Sequence, residues 1–533
     1  MKRIIIFLMG LALGTFFVWY FPAARKTTEV PVTPTSTSAI YDTLAGSQEW
    51  LNVSRPLMPA DLQGRMILLD FWTYCCINCM HVIPDLQALE HEFGDDLTVI
   101  GVHSGKFTNE RDRDNIRAAI LRYDIEHPVV NDANFSIWDR LGVHAWPTLI
   151  LINPEGKIER IYTGEGHREE LRQDIEGLRT RSAKTLAHGG LPLALERTKV
   201  EPSVLRFPGK ITFADDRNLL FVSDSNHDRI LGFTLEGEVK VAIGKGDRPG
   251  RDDGTFEEAR FFRPQGVLYH QGHLYVTDTD NHLLRSIDLE AKRVTTIAGT
   301  GVQGQDRFVK DTAALKTPLS NPWDVSFDPA TNELVIAMAG THQLWGYHLD
   351  KKTVRVIAGN GLESIDDGVY PENSLSQPSG ISEHNGRHYF VDSETSSLRV
   401  LEGNRITTLI GTGLFDFGLK DGPRETARMQ HSIGVFADGS GVYIADTYNH
   451  AIRFYDVEKK ILSTLDQSHF NEPNDIVKIG NKLYVTDTNN HQIRVIDLTT
   501  RIVTTLHLTS LPSLSASLQC EGDACIPTSR SRV

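Results

Sequence analysis

Between residues 201 and 508 the chain repeats itself, and an internal repeat constrains the fold more than any single motif. One phrase recurs as Asp224-Ser225-Asn226-His227, as Asp278-Thr279-Asp280-Asn281-His282 with Arg285, as Asp446-Thr447-Tyr448-Asn449-His450 with Arg453, and as Asp487-Thr488-Asn489-Asn490-His491 with Arg494. Weaker copies stand at Ala339-Gly340-Thr341-His342 and at Asp392-Ser393-Glu394 with Arg399. A second phrase precedes each copy, at Pro208-Gly209, Pro264-Gln265-Gly266, Pro322-Trp323-Asp324, Pro378-Ser379-Gly380, Ile433-Gly434 and Pro473-Asn474-Asp475. Six β-rich copies, spaced by roughly 40–60 residues, predict an all-β six-bladed propeller of four-stranded blades. The Asn-His pairs fall at hairpin tips, where Asp and Asn serve the turn and Arg pairs with Asp. A reacting group is needed once, whereas these recur in every blade, so they read as architecture. Histidines in six different blades lack the tight spacing of metal ligands, and no metal is expected. The third copy, with Ala339-Gly340 in place of Asp-Thr, should have the most irregular tip.

A chain of 533 residues exceeds one hydrophobic core. Ahead of the repeat, residues 49–180 alternate strand-like and helix-like runs, which predicts a separate α/β domain with a mixed sheet. Residues 181–200 read as a linker and 509–533 as a Ser-rich tail. Residues 25–48 read as a Thr/Pro/Ser-rich solvated tether. At the front, Lys2 and Arg3 precede an apolar run from Ile4 to Phe21, long enough at about 27 Å to span a bilayer. Residues 1–24 are therefore expected to be a membrane anchor, or a cleaved secretion signal. The globular part would then lie outside the cytoplasmic membrane, periplasmic in a Gram-negative cell. The net charge of −14 argues against a general nucleic-acid binder. Residues 201–508 carry roughly ten more acids than bases, against RNA binding by the repeat region.

The five cysteines are clustered: Cys75, Cys76 and Cys79 near the front, Cys520 and Cys525 in the tail. The stretch Leu69-Asp70-Phe71-Trp72-Thr73-Tyr74-Cys75-Cys76-Ile77-Asn78-Cys79 ends a predicted strand and opens a helix. A cysteine at a helix N-terminus meets unpaired N–H groups and the positive end of the dipole, which favour thiolate. The second cysteine, one turn deeper, can attack a mixed disulfide and release the partner. Half of a zinc ribbon has the same spacing, but no second pair follows 15–20 residues on, as zinc needs. Asp70, inside an apolar strand, should have a raised pKa and move protons for Cys79.

The site resembles the thioredoxin-like fold. Trp72 precedes the pair at that fold's distance, Pro84 stands where its helix kinks, and Trp146-Pro147-Thr148 resembles its cis-proline loop. The phrases of residues 201–508 resemble the NHL repeat. Together with the strings DFWTYCCINCMH, VIGVHSGKF, RYDIEHPVVND, AWPTLILI and GEGH, they make residues 49–508 similar to the family of NHL repeat-containing protein 2, a TlpA/peroxiredoxin-branch thioredoxin-like domain fused to an NHL propeller. The resemblance implies Cys76 and Cys79 as the redox pair and Pro147 as the cis-proline. Thioredoxin's lysine partner for the buried carboxylate is matched here by Gly101.

These features predict a thiol–disulfide oxidoreductase with Cys76, Cys79, Pro147, Asp70 and Trp72 at its site, acting on protein thiols or disulfides without a cofactor. The propeller would bind a protein partner, and residues 4–21 would hold the membrane. A non-catalytic interaction scaffold is the alternative. A thiol peroxidase is less favoured, because Leu69 stands where the proline of the peroxiredoxin motif belongs. Cys75 reads as a small buried residue, Cys520 and Cys525 as a local bridge or free thiols, and His81 as a surface histidine.

Overall fold

The computed structural model describes residues 37–44 and 49–509. The expected anchor (1–24) and Cys520 and Cys525 lie outside the described residues. The N-terminal domain contains helices α1 (Thr37–Leu44), α2 (Pro59–Leu62), α3 (Ile77–Phe93), α4 (Arg113–Tyr123), α5 (Ser136–Arg140) and α6 (Arg168–Ser182). Its strands are β1 (Glu49–Leu51), β2 (Met66–Trp72), β3 (Leu97–His103), β4 (Val129–Asn131), β5 (Thr148–Ile152) and β6 (Ile158–Thr163). They form one mixed sheet in the order β1-β4-β3-β2-β5-β6, with β2, β3 and β4 parallel and the others antiparallel.

Central strand β2 is buried throughout, as expected of a strand covered on both faces. Ile67, Leu69 and Phe71 face one layer, which includes Ile137 and Trp138 of α5. Met66 and Leu68 face the other, against Val82, Leu86 and Leu89 of α3 and Leu171 and Ile175 of α6. Part of the segment read as a solvated tether departs from that reading. Residues 37–44 are helical, and Ile40, Tyr41 and Leu44 are buried in the first layer. Apolar side chains at helical spacing outweigh the Thr/Pro/Ser composition there. The stretch read as a linker also returns to the domain: Ala194 N–H donates to Asn52 O at 2.9 Å, and buried Glu196 pairs with Arg117 at 2.8 Å.

The repeat region forms six antiparallel blades, four of which gain a two-residue fifth strand. Their four main strands span 208–243, 267–298, 322–358, 378–410, 434–466 and 473–506. The recurrent phrase supplies the blade-to-blade contacts. Thr279 Oγ1 donates to Pro322 O at 2.7 Å, Thr447 Oγ1 to Pro473 O at 2.8 Å, and Thr488 Oγ1 to Pro208 O at 2.7 Å, the last closing the ring. His282, His342, His450 and His491 occupy the left-handed position after the tip. The Nδ1 of each accepts a backbone N–H of the following blade, from Asn321, Gln377, Glu472 and Phe207 respectively. Three tip Asp residues hold a fully buried Arg, Asp278–Arg285 at 2.7 Å, Asp392–Arg399 at 3.0 Å and Asp446–Arg453 at 2.6 Å. The expected irregular tip in blade three is not found. Ala339–Thr341 makes the same turn as the others, with His342 at φ 55°. The backbone turn needs neither the Asp nor the hydroxyl; only the side-chain bonds are missing.

Candidate active site

β2 ends at Trp72, and a short turn leads into α3, whose N-cap is Cys76. The Sγ of Cys76 accepts the N–H of Cys79 at 3.3 Å, so the sulfur itself satisfies one of the free donors at the helix start. Cys76 is partly exposed, whereas Cys75 and Cys79 are buried, and all three are free thiols. Burial pushes the thiols of Cys79 and Cys75 well above the ordinary range; Cys76 and Asp70 add to the effect on Cys79, and Glu110 and Glu394 to that on Cys75. The pair is thus unequal, with one sulfur reachable and the other shielded and held protonated.

Pro147 is buried and follows a cis peptide bond from Trp146, whose ring packs against the cluster that includes Cys76 and Cys79. Asp70 is buried, and loss of water pushes its carboxyl up to about 7; His127 opposes this shift and Glu90 adds to it. Trp72 is buried and lies edge-on to His103, with ring centroids 4.8 Å apart.

Three neighbours of the cysteines escaped the sequence reading. The Glu110 carboxyl accepts the N–H groups of Cys75 at 2.8 Å and Phe107 at 2.9 Å, and burial pushes it up to about 7. Gln377 of the propeller brackets Cys76: it accepts Ile77 N–H at 3.0 Å and donates to Cys75 O at 2.9 Å. His81 is not a surface residue. Its side chain is only 5% exposed and bonds to Glu165, to Asn321 at 2.6 Å and to Gln303 at 2.9 Å. These partners lie up to 240 residues away, so no local pattern announces them.

The start of α3 rests on one face of the propeller. Ile77 packs with Trp323, Ala339 and Ile433. Tyr74, Asn109 and Arg122 all bond to Glu472, at 2.9, 2.8 and 2.8 Å, and Lys106 pairs with Glu394. Phe417 of the propeller packs against the cluster that holds the dithiol. Among the described residues no cluster of His, Cys, Asp and Glu is placed to hold a metal.

The family described as thioredoxin-like matches residues 64–158. The chain is 42% identical over 437 residues to Protein SUPPRESSOR OF QUENCHING 1, chloroplastic, of Arabidopsis thaliana, an alignment covering 78% of this chain and 41% of that one. It is 43% identical over 455 residues to NHL repeat-containing protein 2 of Bos taurus, covering 78% of this chain and 62% of that one. It is 25% identical over 183 residues to Thiol-disulfide oxidoreductase ResA of Geobacillus thermodenitrificans, covering 34% of this chain and 95% of that one. The chain therefore spans 41% and 62% of the length of the first two relatives. The expected membrane-anchored, extracytoplasmic location is corrected by two findings. Among the described residues no helix is long and apolar enough to cross a membrane, and the Arabidopsis relative is named chloroplastic. With a thioredoxin-like domain, a six-bladed propeller and this degree of identity, the chain belongs to the NHL repeat-containing protein 2 family.

Proposed function

We propose that this protein is a thiol–disulfide oxidoreductase acting on protein substrates, with Cys76 as the attacking sulfur, Cys79 as the resolving one, and the propeller as a platform for the protein partner. The observation that carries the reading is the cap on α3: a partly exposed Cys76 sulfur with Cys79 N–H on it at 3.3 Å and a buried thiol behind. In the reductive direction the Cys76 thiolate attacks one sulfur of a substrate disulfide, and the other sulfur leaves as a thiolate. Cys79 then loses its proton and attacks Cys76, forming the Cys76–Cys79 disulfide and freeing the second substrate thiol. Two electrons pass to the substrate, and the reverse sequence oxidises a dithiol. Pro147 and Trp146 form one wall beside the sulfurs, Trp72 supports the turn beneath them, and Asp70 serves the proton of Cys79. The relative ResA, named a thiol-disulfide oxidoreductase and aligned with this domain, supports the same chemistry.

The test is a trap in a background of Cys75→Ala, Cys520→Ser and Cys525→Ser, which removes the three other thiols of the chain. Cys79→Ser should accumulate mixed disulfides on a non-reducing gel, whereas Cys76→Ser should accumulate none. If neither variant traps a partner and both thiols resist alkylation at neutral pH, the reading fails. The Gln377 bracket favours one other reading, an interaction scaffold in which the dithiol is closed off. Insulin reduction by the full chain, set against its Cys76→Ser variant, separates the two.

A further inference from the structure

Gly101 on β3 is the register partner of Asp70 on β2 and of Val129 on β4. Partners across a sheet share a face, and Trp72, two residues beyond Asp70, lies on that face as well. A Cβ at position 101 would come within 2.9 Å of Trp72 Nε1, 3.2 Å of Val129 Cγ2 and 3.4 Å of His127 Nε2. The space over the glycine is thus taken by an indole and an imidazole. Asp70 Oδ1, Trp72 Nε1 and His127 Nε2 are all buried, and none has a hydrogen-bond partner. Buried polar groups are rarely left without a partner, so the grouping of three around one strand position calls for a purpose. The other ring nitrogen of His127, Nδ1, lies 3.3 Å from Glu90 Oε2. His127 is 2% exposed and Glu90 24%, so the pair leads from the interior to the surface.

We propose that Asp70, His127 and Glu90 form a proton relay that empties and refills the Cys79 thiol. The proposal rests on the thiol–disulfide reading above. During resolution the Cys79 S–H bond breaks and its proton passes to the Asp70 carboxylate. From there it reaches His127 Nε2, the unpaired nitrogen that faces the same strand position. His127 gives up its Nδ1 proton to Glu90, which releases it to solvent, and one proton leaves for each disulfide formed. Imidazole suits the middle place because it accepts on one nitrogen while donating from the other.

The electrostatics agree with this path. Burial raises Asp70 and lowers His127, but Glu90, then Asp70 and Glu126, outweigh burial at the imidazole and raise it overall. Two groups facing Asp70 come from α3, Cys79 and Glu90, and one from the segment before β4, His127. Its β3 and β5 partners, Gly101 and Leu149, do not ionise. Once Nε2 has taken the proton, the imidazolium beside Asp70 favours its carboxylate, and loss of the Nδ1 proton to Glu90 returns the ring to its neutral, accepting form.

The experiment uses the full chain with Cys75→Ala, Cys520→Ser and Cys525→Ser, so that Cys76 and Cys79 are its remaining thiols, and 5,5′-dithiobis(2-nitrobenzoate) as the disulfide. Cys76 releases a first nitrothiobenzoate. Cys79 releases the second, and the rate of that phase is followed against pH. The expected inflection is near the carboxyl's own value, about 7. Asp70→Asn should slow the second phase by about 100-fold and abolish the inflection. His127→Gln should move the inflection up by about one pH unit, whereas His127→Lys, which keeps a cation, should leave it in place. Glu90→Gln, which removes no core atom, should slow the second phase several-fold. In an Asp70→Asn background neither His127→Gln nor Glu90→Gln should have a further effect. An unmoved inflection in His127→Gln, or an equal slowing by these variants in the Asp70→Asn background, overturns the relay and leaves the dithiol reading intact. Release of a single nitrothiobenzoate by the protein carrying Cys75→Ala, Cys520→Ser and Cys525→Ser overturns the dithiol reading, and the relay with it.

Discussion

Asp70 couples the stability of the domain to pH. Burial places its folded pKa at about 7, against an ordinary value of 3.8, so between those two values the native state holds a proton that the unfolded chain gives up. The stability this group contributes is fully present below about pH 4 and is lost as pH rises to about 7. Asp70→Asn removes that dependence. The advantage of the variant over the parent, read as a difference in unfolding free energy from urea titrations, should grow by about 1.4 kcal/mol per pH unit between pH 4 and 7 and level off above. A difference that stays constant across that range would show that the carboxyl is not held protonated by the fold. The sequence made this much legible, because a carboxyl inside MILLDFW has nowhere polar to go. It did not reveal the partner. Gly101 marked a missing lysine, but the imidazole that fills the space comes from position 127, placed there by the β3–β4 register.

At the scale of the element, the blade tip shows why repetition was readable and where it misled. Six turns of one kind need the same few residues at the same spacing, so the propeller could be counted from its phrases. The imperfect third copy read as a damaged turn. It is a regular turn on which α3 rests: Ala339 is buried against Ile77 and Trp323, where a larger side chain would meet the helix. The missing hydroxyl therefore marks the docking place of the other domain. Ala339→Thr should destabilise the protein by about 1–3 kcal/mol through overpacking, although it restores the consensus residue. Thr447→Val, at the same position of another blade, should cost about 1 kcal/mol through the lost bond to Pro473 O. Thermal unfolding of the two variants checks both, and a stabilised Ala339→Thr protein would mean that α3 does not press on this tip.

Across the whole molecule, the thioredoxin-like domain and the propeller fall within one compact unit. That arrangement was invisible in the sequence, since Ile77 and Gln377 stand 300 residues apart and Tyr74 and Glu472 stand 398 apart. Glu472 is the strongest tie. Its buried carboxylate receives a phenol, an amide and the Arg122 guanidinium from three positions of the other domain. Removing one member of a buried ion pair strands the other charge, at a cost of about 3–5 kcal/mol. That loss falls on the domain contact and leaves the core of each domain untouched. Glu472→Ala should therefore split a shared unfolding transition into two, with the thioredoxin-like domain melting apart from the propeller. Gln377→Ala acts closer to the sulfurs, because it frees Cys75 O and Ile77 N–H on either side of Cys76. Alkylation of Cys76 by iodoacetamide should accelerate several-fold in both variants if the propeller face restricts access to the dithiol. An unchanged alkylation rate in Glu472→Ala, despite separated transitions, would mean that the domains hold each other without covering the site. The propeller would then position the thioredoxin-like domain without controlling what reaches it.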